Sequence, residues 1–280
     1  MAMKNQSEHN SSRGRALIGV FLVAILFAAT GCVTTTRSGS SFETSSRVKQ
    51  SVAKRDLGID YLSSRRTAMA IRELRASMKI DPSDPVTHLW LGEAYRRKGR
   101  TAEAEAFFLD AIELSDSEES SITTQSARLN LSGLFLQLGR YEESLPHCEA
   151  LAEDPTFSRP WQPLTNCGWA LLQLGRFAEA SAYFEEALDF FPRFGPALLN
   201  LGILRAKQGK TLAAIKILDR ALESGRLSAS GLSAAHFRLG EIYVGLGRRD
   251  RAVVHFRQAT DKAPYGEWGS QSQAYLDLLH

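Results

Sequence analysis

His88–Asp116 reads HLWLGEAYRRKGRTAEAEAFFLDAIELSD. Leu91, Gly92 and Tyr95 come first, a Gly99-Arg100 pair follows, and Ala104, Phe108 and Ala111 close the stretch. Leu91 and Tyr95 stand four apart, as do Ala104 and Phe108, the spacing that places side chains on one face of a helix. Gly99-Arg100, between the two faces, is a turn signal. The stretch predicts two amphipathic helices folded against each other, with small residues where they meet.

That order recurs six times. The first copy has Leu57-Gly58, Tyr61, Ala70, Leu74 and Pro82, and the quoted stretch is the second. The third is the most degenerate, with Leu131, Phe135, Gly139, Ser144, Cys148 and Pro155. The fourth carries Gly168, Gly175, Ala180, Phe184, Ala187 and Pro192. The fifth carries Leu201-Gly202, Gly209, Ala214, Leu218 and Ala221, and the sixth Leu239-Gly240, Tyr243, Gly247, Ala252, Phe256, Ala259 and Pro264. Gly58, Gly92, Ser132, Gly168, Gly202 and Gly240 are equivalent, spaced by 34, 40, 36, 34 and 38 residues.

This pattern closely resembles the tetratricopeptide repeat, whose period is 34 residues. Repeat positions are numbered so that Gly92 is position 8. The resemblance implies an all-α superhelix of six helix-turn-helix repeats over 51–264, closed by a capping helix over 265–280. Each consensus residue has a packing reason. Gly at position 8 and Ala at position 20 let the two helices of a repeat approach, aromatics at positions 11 and 24 fill the space beside them, and Pro at position 32 ends the second helix. The longer spacings predict loops at Asp116–Ser121 and Ser224–Gly231, both polar or rich in Gly and Ser. In 268–279, Ala274, Leu276, Leu278 and Leu279 are the expected apolar face of the cap.

The formal charge of +3 is carried largely by the N-terminus. Residues 1–31 hold Lys4, Arg13 and Arg15 against Glu8, so the remainder has 31 basic and 30 acidic side chains. A nucleic-acid binder needs a concentrated basic surface, and this balance gives no sign of one. Lys4, Arg13 and Arg15 precede a 14-residue apolar run, Ala16–Ala29. A membrane-spanning helix needs about 20 residues, so the run suits the hydrophobic region of a secretory signal over 1–31. Thr30-Gly31-Cys32 follows, and ATGC resembles the bacterial lipobox in its last two positions, with Ala29 where Leu is usual. The resemblance implies that Cys32 is diacylated and becomes the mature N-terminus. Ordinary cleavage with an incidental Cys, and an uncleaved anchor, are the other readings. Val33 is not the Asp of the inner-membrane retention signal, which favours the periplasmic face of the outer membrane. Residues 33–47 are Ser/Thr-rich with almost no apolar content. The segment 32–50 therefore reads as lipidated Cys plus flexible tether, with a reach of about 20–25 Å.

No catalytic constellation is present in the sequence. None of His9, His88, His147, His236, His255 and His280 pairs with another at metal-ligand spacing, so no metal and no cofactor beyond the Cys32 lipid is expected. Glu142-Glu143 and Glu185-Glu186 read as solvated helix faces. Cys148 falls at position 24 of the third repeat and Cys167 at position 7 of the fourth, and these positions share an interface in the repeat fold. In an oxidising compartment a disulfide is expected; two separate buried thiols are the alternative. Pro146 inside the same helix costs stability that a crosslink would offset.

By the family's geometry, positions 2, 5, 9, 12 and 13 of each first helix line a concave groove, with Asn at position 6 nearby. Here they give Leu89, Glu93, Arg96, Leu129, Leu136, Trp169, Leu172, Leu199, Ile203, Phe237 and Val244, with Asn130, Asn166 and Asn200 at position 6. The expectation is an exposed apolar stripe that binds an amphipathic helix or extended apolar segment of another protein. The alternative is that several of these residues are merely half-buried between helices and that the Asn residues are consensus structure. Ile59 and Trp90 stand where the carboxylate-clamp members of the family carry polar residues, so that clamp is absent. Lipobox, tether and six repeats together resemble the pilotins of type IV pilus systems. That resemblance implies a non-enzymatic outer-membrane lipoprotein that helps a secretin subunit localise and multimerise, with no nucleic-acid partner and no small-molecule substrate. A periplasmic adaptor for another envelope complex, such as one recruiting cell-wall hydrolases, would carry the same sequence signature.

Overall fold

A computed structural model describes residues 38–115 and 122–279. The signal segment, Cys32 and the loop 116–121 lie outside the described residues. The described residues form thirteen helices and no strand: α1 (Ser38–Ser63), α2 (Thr67–Ile80), α3 (Pro85–Arg97), α4 (Thr101–Leu114), α5 (Ile122–Gln137), α6 (Tyr141–Ala152), α7 (Trp161–Gln173), α8 (Phe177–Phe190), α9 (Gly195–Lys207), α10 (Thr211–Glu223), α11 (Ala229–Gly245), α12 (Arg249–Lys262) and α13 (Glu267–Leu278). No helix among them is long and apolar enough to cross a membrane. The fold discussed below is that of Val48–His280.

Six consecutive pairs, α1/α2 to α11/α12, are the repeats, and α13 covers the last. The first helices α3, α5, α7, α9 and α11 touch one another in succession, whereas the second helices α4, α6, α8, α10 and α12 do not. A row that is close-packed on one side and spread on the other must curve. The first helices therefore line the concave side, and the fold is a tetratricopeptide-repeat superhelix.

The close approach inside each repeat has a measurable cause. A Cβ added to Gly92 would sit 2.6 Å from the Phe108 ring, and Gly168 meets Phe184 and Gly240 meets Phe256 at the same distance. Ala104, Phe108 and Ala111 are fully buried, as are Ala180, Phe184, Ala187, Ala252, Phe256 and Ala259. Each fully buried large side chain contributes about 1.5–3 kcal/mol. The third repeat solves the same contact in another way. Ser132 replaces the Gly and Cys148 replaces the ring, so the space lost at position 8 is returned at position 24. The freed volume holds a buried pair, Ser132 Oγ to Ser144 Oγ at 3.0 Å. Cys148 and Cys167 are joined as a disulfide with Cα atoms 5.6 Å apart, tying α6 to α7. Between the first two repeats the junction is polar instead. Ser77 Oγ donates to the Ser51 carbonyl at 2.8 Å, Thr87 Oγ1 donates to Asp84 at 2.6 Å, and Arg55 donates to the same Asp84 oxygen at 3.1 Å.

The turn between paired helices needs one residue in the left-handed region. Gly99, Gly139, Gly175, Gly209 and Gly247 supply it with φ of 67–78°. In the first repeat Arg65 does so, at φ 59°, a conformation that costs a side chain with a Cβ about 1–2 kcal/mol.

Three expectations require correction. The Ser/Thr-rich stretch expected to be a tether is helical from Ser38, because α1 extends back through it. Ser and Thr cost a helix only some tenths of a kcal/mol each, so composition alone does not stop a helix that has packed turns to grow from. The loop expected to reach Gly231 ends sooner: α11 starts at Ala229, capped by Ser228, whose side chain accepts from the Gly231 amide. The cap buries Gly269, Ser272 and Leu276 and half-buries Trp268, Tyr275 and Leu279, while Ala274 and Leu278 face outward. Tyr275 stacks on Phe256 at 4.7 Å and Trp268 lies 5.3 Å from Phe237. The aromatic residues, rather than the Ala and Leu set, choose the buried face.

Candidate functional site: the concave face

The groove residues divide by burial. Leu89, Leu172, Leu199, Ile203 and Phe237 are buried in the core clusters. Phe237 is 2% exposed and lies between Phe256, Trp268 and Tyr275. The expected exposed apolar stripe is therefore largely core. The first helices pack directly against each other and consume their own aliphatic flanks. Leu129, Asn130, Leu136, Asn166, Trp169 and Asn200 are half-buried, and Arg96 and Val244 are exposed. Asn166 donates to Ser132 Oγ at 3.2 Å across the α5–α7 contact, a structural use.

Hollows on this face are formed by described residues at two places. One has a volume of about 310 Å³ and brings together Leu89, Glu93, Arg96, Leu129 and Asn130 of the expected set. Trp90, Arg97, Ser126 and Arg159 complete its lining. The other, also about 310 Å³, lies between α9 and α11 and is lined by Ile203, Ala206, Lys207, Arg238, Glu241 and Ile242. Leu136, Trp169, Leu172, Leu199, Phe237 and Val244 line neither.

The first hollow has a fixed electrostatic core. Glu93 is buried, and burial alone would push its carboxyl up. Arg96 donates to it from Nε at 2.7 Å and Nη2 at 2.9 Å, and Arg97 from Nε at 2.6 Å. These charge-assisted bonds outweigh burial and hold Glu93 below the usual carboxylate range. Arg97 also donates from Nη1 to the Leu62 carbonyl at 2.7 Å, which anchors α3 to the first repeat.

The sequence reading missed Arg97, Ser126 and Lys207, although they occupy positions 13, 2 and 13 of their repeats and so satisfy the groove register. Arg159 lies on the α6–α7 connection, where no repeat register points. A second omission concerns the histidines. His236 on α11 and His255 on α12 meet with Nδ1 atoms 3.1 Å apart, and His255 stacks on Tyr243 at 5.4 Å. Positions 4 and 23 of one repeat converge, as His88 and Phe107 do in the second. Burial, then the charges of His255 and Lys262, hold His236 neutral with its pKa lowered to about 4. Among the described residues no group of three or more His, Cys, Asp or Glu could hold a metal ion.

Comparison with known proteins agrees with this architecture. Residues 55–119, 161–194 and 195–264 match tetratricopeptide repeat families. The chain is a tetratricopeptide-repeat protein, and the unmatched interval falls on the third repeat. It is 25% identical over 224 residues to the type IV pilus assembly protein PilF of Pseudomonas aeruginosa, spanning 80% of this chain and 85% of that one. The structure of P. aeruginosa PilF superposes with a TM-score of 0.64 at 23% identity, covering 82% of this chain and 99% of PilF. The structure of PilW, described as a widely conserved type IV pilus biogenesis factor, gives 0.67 at 22% identity, covering 81% and 98%. The APC/C hetero-tetramer Cut9-Hcn1 gives 0.66 at 17% identity, covering 86% of this chain and 46% of that one. Superposition at this level thus reports the repeat fold and leaves the task open.

Proposed function

We propose that this chain is a pilotin: an outer-membrane lipoprotein, anchored through Cys32, that assists type IV pilus secretin localisation and multimerisation by protein–protein contact. One observation carries the reading. The sequence match to PilF extends over 85% of that protein instead of over a few repeats of a longer one. Support comes from the length of PilF and PilW, each covered almost entirely by the present fold, and from the lipobox-like ATGC at 29–32. The concave face supplies two hollows of the size that takes side chains of a bound segment. Its role is that of a non-catalytic scaffold: the lipid sets the place and the groove sets the partner.

The test is deletion of the gene followed by comparison of heat-resistant secretin multimers in outer-membrane fractions. The expected result is loss of multimers, restored by the native gene and not by Cys32→Ser, which should also abolish lipid labelling. Unchanged multimers would overturn the reading.

A further inference from the structure

We propose that the hollow between α3 and α5 is a carboxylate-reading pocket, which takes an acidic side chain together with a neighbouring apolar side chain from an extended segment of a partner protein. This rests on the reading of the concave face as a protein-binding groove and names the chemistry of what enters it.

The charge count inside the hollow is uneven. Arg96, Arg97 and Arg159 face Glu93 alone. Glu93 already accepts three hydrogen bonds from Arg96 and Arg97, and its single negative charge balances one of the three guanidinium groups. Arg159 makes no side-chain hydrogen bond or ion pair with any described residue, and Arg96 Nη1 and Arg97 Nη2 donate to none either. Asn130 and Ser126 add further polar groups on the α5 side. The lining is therefore donor-rich and carries a surplus of two positive charges. Guanidinium groups recognise planar carboxylates by paired N–H donors. Glu93 is the one carboxylate among the described lining residues, and a ligand would bring the second.

The rest of the lining decides between a free anion and a peptide. Leu89, Trp90 and Leu129 form an apolar floor. An inorganic anion would leave that floor wet, whereas an acidic residue beside a Leu, Ile or Phe covers floor and arginines together. The near balance of 31 basic and 30 acidic side chains after residue 31 hides this arrangement. The absence of the clamp residues at Ile59 and Trp90 does not remove acid recognition; it moves it to Arg96, Arg97 and Arg159.

The experiment is selection of phage-displayed random dodecapeptides on the full chain in detergent, in parallel with an Arg96→Gln/Arg159→Gln variant and with Arg159→Gln alone. Arg159 is exposed and bonds to nothing described, so its replacement leaves the fold intact, and circular dichroism checks this. The native protein should enrich Asp or Glu next to Leu, Ile or Phe, and the double variant should lose that enrichment. The best selected peptide, measured by fluorescence anisotropy, should weaken at least about tenfold when its acid becomes the amide, and comparably on Arg159→Gln. No peptide enriched, a pool without acids, or equal binding of acid and amide peptides would overturn the proposal. Secretin multimers lost on gene deletion alongside equal peptide binding would remove the acid pocket and keep the pilotin reading; acid selectivity with unchanged multimers would do the reverse.

Discussion

The second and third repeats hold the same backbone by opposite means. In the second, Gly92 vacates the space that the Phe108 ring fills. In the third, both partners are mid-sized, and the ring's contribution is replaced by the Ser132–Ser144 hydrogen bond and by the Cys148–Cys167 crosslink. Positions 8 and 24 form one unit of volume. Gly at position 8 accepts Phe or Leu at position 24, as Gly58–Leu74 and Gly202–Leu218 do, whereas Ser132 at position 8 is matched by the smaller Cys148. The difference also explains why the third repeat is the one the family comparison passes over, although α5 and α6 pair as the other repeats do.

The largest test of this contrast removes the crosslink. The two cysteines are separated by 19 residues, and closing a loop of that order stabilises by about 3 kcal/mol. Cys148→Ala/Cys167→Ala should lower the urea midpoint of native protein accordingly, and dithiothreitol should then have no further effect. A change under about 0.5 kcal/mol would mean that the serine pair carries the repeat alone. Next is a volume swap in the second repeat. Gly92→Ser should cost about 1–3 kcal/mol by overpacking against Phe108. The double substitution Gly92→Ser/Phe108→Cys should be less damaging than the sum of its parts, with a coupling of about 1 kcal/mol or more in a double-mutant cycle. Strict additivity would break the idea of a shared unit.

These contrasts show what was legible in the sequence. Gly92, Ala104 and Phe108 could be read because their contacts lie within one repeat at fixed spacing. The groove could not, because exposure depends on how tightly neighbouring first helices close, and no single repeat records that. Leu172, Leu199 and Phe237 have the right register and the wrong depth. Arg159 has no register at all. The His236–His255 contact follows from register, since positions 4 and 23 also meet as Lys54–Glu73 in the first repeat and as His88–Phe107 in the second.

The sixth repeat carries the comparison to ring packing. The second fills these slots with His88, Tyr95 and Phe107, and the sixth with His236, Tyr243 and His255. His236 is lowered to about 4, with Lys262 and His255 adding to burial, and His255 is lowered by burial against the opposing pull of Asp219 on α10, with Arg251 also lowering it. A neutral native histidine whose unfolded form binds a proton near pH 6.5 makes stability fall as pH drops from 6.5 toward 4. Denaturation at pH 7.5 and pH 5 should show a loss on the order of 1 kcal/mol, smaller in His236→Phe. An identical loss in the variant would place the pH sensitivity elsewhere. The smallest effect concerns the turn. Arg65→Gly should raise stability by about 0.5–1 kcal/mol by relieving the left-handed backbone, whereas Gly99→Arg, its mirror in the second repeat, should lower it.

Because each repeat touches only its neighbours, the superhelix is a set of links in series, and any tension between its ends passes through every one of them. The link that departs most from the consensus is also the one that is riveted. Between Cys148 and Cys167 the covalent bridge withdraws a 19-residue span from the length that a pull can draw out, about 65 Å of extended chain. Under load the junction between the third and fourth repeats would therefore hold as a rivet, while residues 122–147 of the third repeat stay free to draw out.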